Sequence, residues 1–199
     1  MSQLICITGM DGTGKSTLLK NLSSVYPSSY VANIWDIMEG GVQTVPFKSK
    51  KDIDAYLCEL SPDSRLLFLT HALRFSLDRA LSSKKEIVFL NSYYYKYFAT
   101  ELALGAGMEL AETLLNSFPE PDQTFYLELS PEVVVSRKTV FSRYECGLSK
   151  TPGNLSFMEF QKLALAQWKN FDSTDFITLD AALSEDIIAQ EVKKRLLYP

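Results

Sequence analysis

Histidine is almost missing from this chain, which has His71 alone among its 199 residues. A single imidazole has no companion for a Ser/His/Asp relay or a histidine metal site, so His71 is read as structural. Cysteine is scarce as well: Cys6, Cys58 and Cys146 lie far apart, with no C-x-x-C spacing. That argues against a disulfide framework or a zinc site and fits reduced thiols in a cytoplasmic protein. No apolar run approaches the roughly 20 residues that span a bilayer. The first residues pass straight into a strand pattern without a charged leader, so neither membrane insertion nor secretion is expected. Excess positive charge is lacking too, with a formal net charge of -4. Such a chain has no electrostatic footprint for a nucleic-acid backbone, and a small-molecule partner is expected instead. Internal repeats, low-complexity tracts and linkers are absent. What is there is 46% hydrophobic and 22% charged, enough for a single domain over residues 1–199 with a sizeable core.

Short apolar runs alternate with amphipathic stretches, the pattern of parallel strands joined by helices. Strands are expected at 3–8, 30–34, 87–90, 124–129 and 176–179, most of them apolar on both faces, as a sheet covered on two sides requires. Ser61-Pro62-Asp63 and Ser130-Pro131-Glu132 each place a capping hydroxyl before a proline at a helix start. Ser156-Phe157-Met158-Glu159 reads as a capping box. A last helix opens at Ser184-Glu185-Asp186 and closes at Lys193-Lys194-Arg195, charged at each end as the helix dipole prefers. In the first helix Leu18, Leu19, Leu22 and Val25 recur at helical spacing and are expected to face the sheet. Lys48 to Asp54 reads as a solvated loop running into a short helix.

The most informative segment is Gly9-Met10-Asp11-Gly12-Thr13-Gly14-Lys15-Ser16-Thr17, set between the apolar Leu4-Ile5-Cys6-Ile7 and the helical Leu18 to Leu22. It fits G-x-x-x-x-G-K-[ST]. Glycines there let backbone N–H groups turn toward phosphate oxygens, and the helix that follows presents its positive end. Lys15 would neutralise the terminal phosphates, and the Ser16 hydroxyl would hold Mg²⁺. A chance match at an ordinary strand-to-helix turn is the bland alternative, but the strand and the helix that the motif needs are both legible. A bound nucleotide, ATP with Mg²⁺, is therefore expected. A small GTPase would also need D-x-x-G and N-K-x-D at strand ends, and Ser49-Lys50-Lys51-Asp52 is only a weak echo of the second. Downstream, Arg137, Lys138 and Arg143 lead into Glu145 to Asn154, which contains Gly147, Pro152 and Gly153. Local sequence leaves two readings open: a mobile lid over about 137–154 that closes on a phosphate chain, or a solvated helix face.

Three motifs, spaced alike, resemble the thymidylate kinase family over nearly the whole chain. Gly9 to Thr17 is similar to the family's G-x-D/E-G-x-G-K-[ST]-T, including the acid at Asp11. Pro121-Asp122-Gln123-Thr124-Phe125-Tyr126-Leu127-Glu128-Leu129-Ser130-Pro131-Glu132 resembles P-D-x-T-x-Y-L-D-x-x-P-E, and Ser142-Arg143-Tyr144-Glu145 resembles the lid signature D-R-x-E. The resemblance implies an α/β, three-layer P-loop kinase fold with a five-stranded parallel sheet flanked by helices, and a homodimer. It implies transfer of the ATP γ-phosphoryl group to a (deoxy)pyrimidine nucleoside monophosphate, dTMP first of all. Some members carry the catalytic arginine in the loop, where this chain has Thr13; the resemblance then assigns that role to Arg143, supported by Arg137, beside Lys15 and Asp11. Arg137 joins the loop residues Gly9, Met10, Asp11, Gly12, Thr13, Gly14, Lys15, Ser16 and Thr17 in binding ATP. Arg74 falls where the family bonds the base, although its own surroundings suggest a helix-surface charge. Tyr93, Lys96, Thr100 and Glu101 fall around the acceptor, and Ser16 and Asn91 at the metal.

The chain also departs from that family. Where the family has D-R-Y-x-x-S-x-x-A-Y-Q, this sequence reads Asn91-Ser92-Tyr93-Tyr94-Tyr95-Lys96-Tyr97-Phe98-Ala99-Thr100-Glu101. Asn91 replaces the acid that organises Mg²⁺, and Ser92 replaces an arginine that grips the acceptor phosphate. Ile34-Trp35-Asp36-Ile37 stands where a second such arginine belongs. Losing two charge-assisted contacts of about 1.5–3 kcal/mol each would cost roughly a hundredfold to ten-thousandfold on the usual substrate. Lys96, a helical turn beyond the strand end, is a candidate replacement. Thr100 and Glu101, in place of tyrosine and glutamine beside sugar and base, are expected to relax selectivity among pyrimidine monophosphates. Three outcomes stay open: a divergent thymidylate-kinase-like enzyme, a nucleoside or other small-molecule kinase with an altered acceptor site, and a non-catalytic nucleotide-binding protein.

Overall fold

The computed structural model describes residues 2–39, 47–171 and 173–196. Strands β1 (Gln3–Thr8), β2 (Ser29–Ala32), β3 (Ile87–Asn91), β4 (Gln123–Glu128) and β5 (Ile177–Asp180) form an all-parallel sheet in the order β2-β3-β1-β4-β5. Around it lie α1 (Lys15–Val25), α2 (Asp36–Glu39), α3 (Lys50–Glu59), α4 (Pro62–Ser82), α5 (Tyr93–Ala103), α6 (Met108–Leu115), α7 (Pro131–Arg137), α8 (Asn154–Ala166) and α9 (Glu185–Arg195). β1 is central, and its side chains alternate between two core layers. Leu4 and Cys6 pack with Val88, Leu90 and residues of α4 and α5, whereas Ile5 and Ile7 pack with Phe89, Phe125, Leu127 and residues of α1 and α9. This is why the strands read as unbroken apolar runs.

All five strands lie where the sequence places them, with a shorter β2. The chain turns at Asn33, whose side-chain oxygen accepts from Trp35 N at 3.2 Å, so Ile34 falls outside the strand. Ser61 and Ser130 cap α4 and α7 through Ser64 N (3.3 Å) and Val133 N (3.4 Å). Ser49 caps α3 through Asp52 N at 3.2 Å, so the polar segment turns helical at Lys50. Two expectations are corrected. Val25, the last residue of α1, is exposed, because only Leu18, Leu19 and Leu22 of the stripe reach the sheet. The capping box at Ser156 is displaced: α8 already starts at Asn154, and Ser156 reaches back to Gly153 N at 3.1 Å from inside its first turn. Among the described residues no helix is long and apolar enough to cross a membrane.

Because all strands run the same way, the loops after β1, β3 and β4 open at one edge of the sheet, where ligands of such folds collect.

Candidate active site

The loop after β1 curls back over the start of α1. Gly9, Gly12 and Gly14 have φ of 136°, 83° and 91°, conformations that a side chain rarely adopts. At Gly12 a Cβ would also lie 2.3 Å from Val134 Cγ1 of α7. Gly14 precedes α1 without a side-chain cap, which leaves the first-turn N–H groups to a ligand. Inside the curl, Lys15 Nζ donates to Gly9 O (2.9 Å), Met10 O (2.5 Å) and Thr13 Oγ1 (3.3 Å). These are neutral oxygens, and among the described residues no carboxylate lies within ion-pair distance of Lys15. Burial first, then repulsion from Lys96, pulls its pKa down to about 7. A buried ammonium without a counter-charge fits an incoming polyphosphate.

A second wall faces this loop across a pocket of about 350 Å³, lined by Asp11, Lys15, Ser16, Trp35, Asn91, Lys96, Tyr97 and Glu145 among others. Its shape depends on the turn after β3. Ser92 and Tyr93 both have positive φ, 69° and 51°, unusual for residues with a side chain. The turn is held by Ser92 N donating to Ile7 O (2.9 Å) and Thr8 Oγ1 donating to Ser92 O (3.0 Å). It aims Asn91 and Lys96 into the pocket, where Lys96 Nζ meets Asp11 Oδ1 at 2.6 Å. Burial opposes both charges, but the pairing wins: Asp11 is held below the usual carboxylate range and Lys96 above the usual lysine range. A smaller pocket of about 160 Å³ adjoins through Gly14 and Thr17 and is lined by Leu18, Leu127, Arg137, Ala181, Leu183 and Ile188. Arg137 crosses its edge, donating to Ala181 O (3.1 Å) and Ala182 O (3.3 Å).

The family model for thymidylate kinase matches residues 7–192 of this chain. The chain belongs to the thymidylate kinase family. It is therefore a nucleoside monophosphate kinase by class. It is 31% identical over 144 residues to a probable thymidylate kinase of Saccharolobus solfataricus, covering 69% of this chain and 70% of the relative. It is 26% identical over 211 residues to the thymidylate kinase of Francisella philomiragia, covering 96% of each. Among solved structures, a thymidylate kinase from Candida albicans aligns with TM-score 0.70 at 18% identity, over 97% of this chain and 90% of that one. A deoxyadenosine kinase from M. mycoides with bound dATP aligns with TM-score 0.66 at 16% identity, over 98% and 100%. The five-stranded parallel sheet flanked by helices is the fold these share.

Of the residues expected around a nucleotide, the pocket gathers Asp11, Gly12, Gly14, Lys15, Ser16, Thr17, Asn91 and Lys96. Several expected substrate contacts lie elsewhere. Glu101 is fully buried, with its oxygens taken by Arg65 and Tyr144, so it cannot read a base. Thr100 is buried and turns its hydroxyl back onto Lys96 O at 2.8 Å. Tyr93 is buried and donates to Pro119 O at 3.0 Å. Arg74 is half-exposed, donating to Ser117 O (2.7 Å) and pairing with Asp78 (2.8 Å), as a helix-surface charge does. The stretch after α7 is packed rather than loose: Tyr144 and Cys146 of its 3-10 turn (Tyr144–Cys146) are buried, and Gly147 sits against the Phe160 ring.

Arg143 also departs from expectation. Its guanidinium lies near the carbonyls of Ser149 (3.4 Å) and Leu148 (3.5 Å) and does not line the pocket. Lys138 does not line the pocket either, but its ion-pair partner does. It pairs with the pocket residue Glu145 at 2.5 Å, and its charge acts on both Asp11 and Lys15. Lys138 stands in the same basic segment as Arg143, but no spacing rule shows which cation pairs with Glu145. Trp35 and Tyr97, which also wall the pocket, carry no motif.

Proposed function

We propose that this protein transfers the γ-phosphoryl group of ATP to a pyrimidine nucleoside monophosphate, with dTMP the acceptor that its family membership supports. The observation that carries this reading is Lys96. It stands across from the phosphate loop, on the side where the acceptor arrives, and supplies the positive charge that Ser92 and Trp35 do not. An uncharged nucleoside would have no use for it; a monophosphate would.

In this reading ATP brings the transferring group, and Mg²⁺, when bound, would screen the developing charge. Ser16 and Asn91 offer hydroxyl and amide oxygens for that ion. Lys15 exchanges its carbonyl partners for phosphate oxygens. The apolar pocket beside Arg137 takes the ATP base. Asp11 releases Lys96 to the acceptor phosphate and orients the acceptor, while Trp35 and Tyr97 wall its approach. Lys138 provides lid charge to the transferring group, a role in which a positioned cation counts because the reaction asks for electrostatics more than covalent help.

Lys96→Met tests the reading. The KM for dTMP should rise about tenfold to a hundredfold, the loss of one charge-assisted contact. An unaltered KM for dTMP would remove its basis.

A further inference from the structure

Away from the phosphate pocket, two opposite charges are sealed from solvent. Arg65 of α4 and Glu101 of α5 are fully buried, and Arg65 Nε donates to Glu101 Oε2 at 2.7 Å. Arg65 Nη1 donates to Leu57 O (3.0 Å) and Leu60 O (2.9 Å), where α3 ends, and its Nη2 has no partner among the described residues. Glu101 Oε1 accepts the hydroxyl of Tyr144 at 2.7 Å. A buried ion pair rarely adds net stability, because desolvation offsets the attraction, and an unmatched N–H makes the balance worse. Its placement offers another reason for it. The network ends on the lid.

We propose that Glu101 is a positioning residue: through the Tyr144 hydroxyl it fixes the 3-10 turn of the lid and so holds the Lys138–Glu145 pair at the phosphate pocket. Tyr144 is joined directly to Glu145. The carbonyl of Glu145 is held by Gln161 Nε2 (3.0 Å), and its carboxylate by Lys138 (2.5 Å) and Ser142 N (3.0 Å). With Tyr144 tethered below, this arrangement has little freedom to swing. Tyr97, one turn before Glu101 on the same helix, lines the pocket. One rigid helix thus carries a wall of the site and, a turn later, the anchor of its lid.

The catalytic consequence rests on the kinase reading above, so the test has an arm that needs no substrate. Tyr144→Phe removes the hydroxyl alone. Its kcat should fall about tenfold, as the loss of one hydrogen bond to a charged group implies, while the KM for the acceptor stays nearly constant. Amide hydrogen exchange over 142–149 should speed up in the same variant. Arg65→Met with Glu101→Met replaces the pair by apolar groups, which buried pairs commonly tolerate. It should lower kcat by a similar factor, with Tm retained, and adding Tyr144→Phe to it should cost nothing more. Unchanged kcat and exchange in Tyr144→Phe, or strictly additive losses, would overturn the proposal. If the double-methionine protein does not fold, Tyr144→Phe decides alone. A wild type without kinase activity would refute the function proposed above, and the exchange rates would still show whether the tether exists.

Discussion

Lys15 and Lys96 line one pocket, Lys138 meets it only through Glu145, and each has a different electrostatic situation. Lys15 has only neutral partners, Lys96 is matched by Asp11, and Lys138 by Glu145. Lys15→Ala should therefore abolish ATP binding by titration calorimetry, since Lys96 and Lys138 are each already paired with a carboxylate. Equal affinity in variant and wild type would contradict it. At the lid the two candidate cations can be separated. Lys138→Ala should lower kcat by about tenfold or more, because an interaction with transferring charge is lost, whereas Arg143→Ala should cost less than threefold, as expected of a side chain bound to loop carbonyls. The reverse order in single-turnover rates would restore Arg143 to the chemistry.

Among the elements, the sheet and the loop after β1 were legible because each is written locally: apolar runs for the strands, and glycines with Lys15 and Ser16 for the loop. Lys96, one turn past a strand end, lies at the pocket that this loop borders. Glu101, Thr100 and Tyr93 were misplaced because the direction of a helical side chain depends on how the helix is rotated. Ser92 and Tyr93, where α5 begins, have positive φ, which no sequence pattern announces. For the segment after α7 the local sequence leaves a mobile lid and a solvated helix face open; Tyr144 and Cys146 are buried there. Gly147 is part of that packing: it has φ 64°, and a Cβ there would lie 2.7 Å from Phe160 Cδ2. Gly147→Ala should destabilise the fold by about 1–3 kcal/mol, visible as a Tm lower by several degrees. No change would mean that the lid is not packed as described.

For the whole molecule, the buried Arg65–Glu101 pair links stability to pH. Burial pushes the Glu101 carboxyl up to about 7, against the pull of Arg65 and the Tyr144 hydroxyl; Tyr97 on α5 and Cys58 near Arg65 are the other titratable groups at hand. The unfolded chain titrates this group near about 4.3, so the folded chain holds the proton more tightly. The contribution is complete below the unfolded value and is lost as pH rises through about 7. Thermal unfolding of the wild type should thus weaken across that window, and the double-methionine variant should show a flatter profile. Equal slopes would place the titration elsewhere. The central claim, that a paired lysine serves in place of the family's acceptor arginines in a working monophosphate kinase, is met most directly by a coupled assay with ATP and Mg²⁺. The acceptors are dTMP, other nucleoside monophosphates and thymidine, and the proteins are wild type and Lys96→Met. The account predicts turnover of dTMP by the wild type, a raised KM for it in the variant, and none of thymidine by either; turnover of thymidine but not dTMP, or of no acceptor at all, would contradict it.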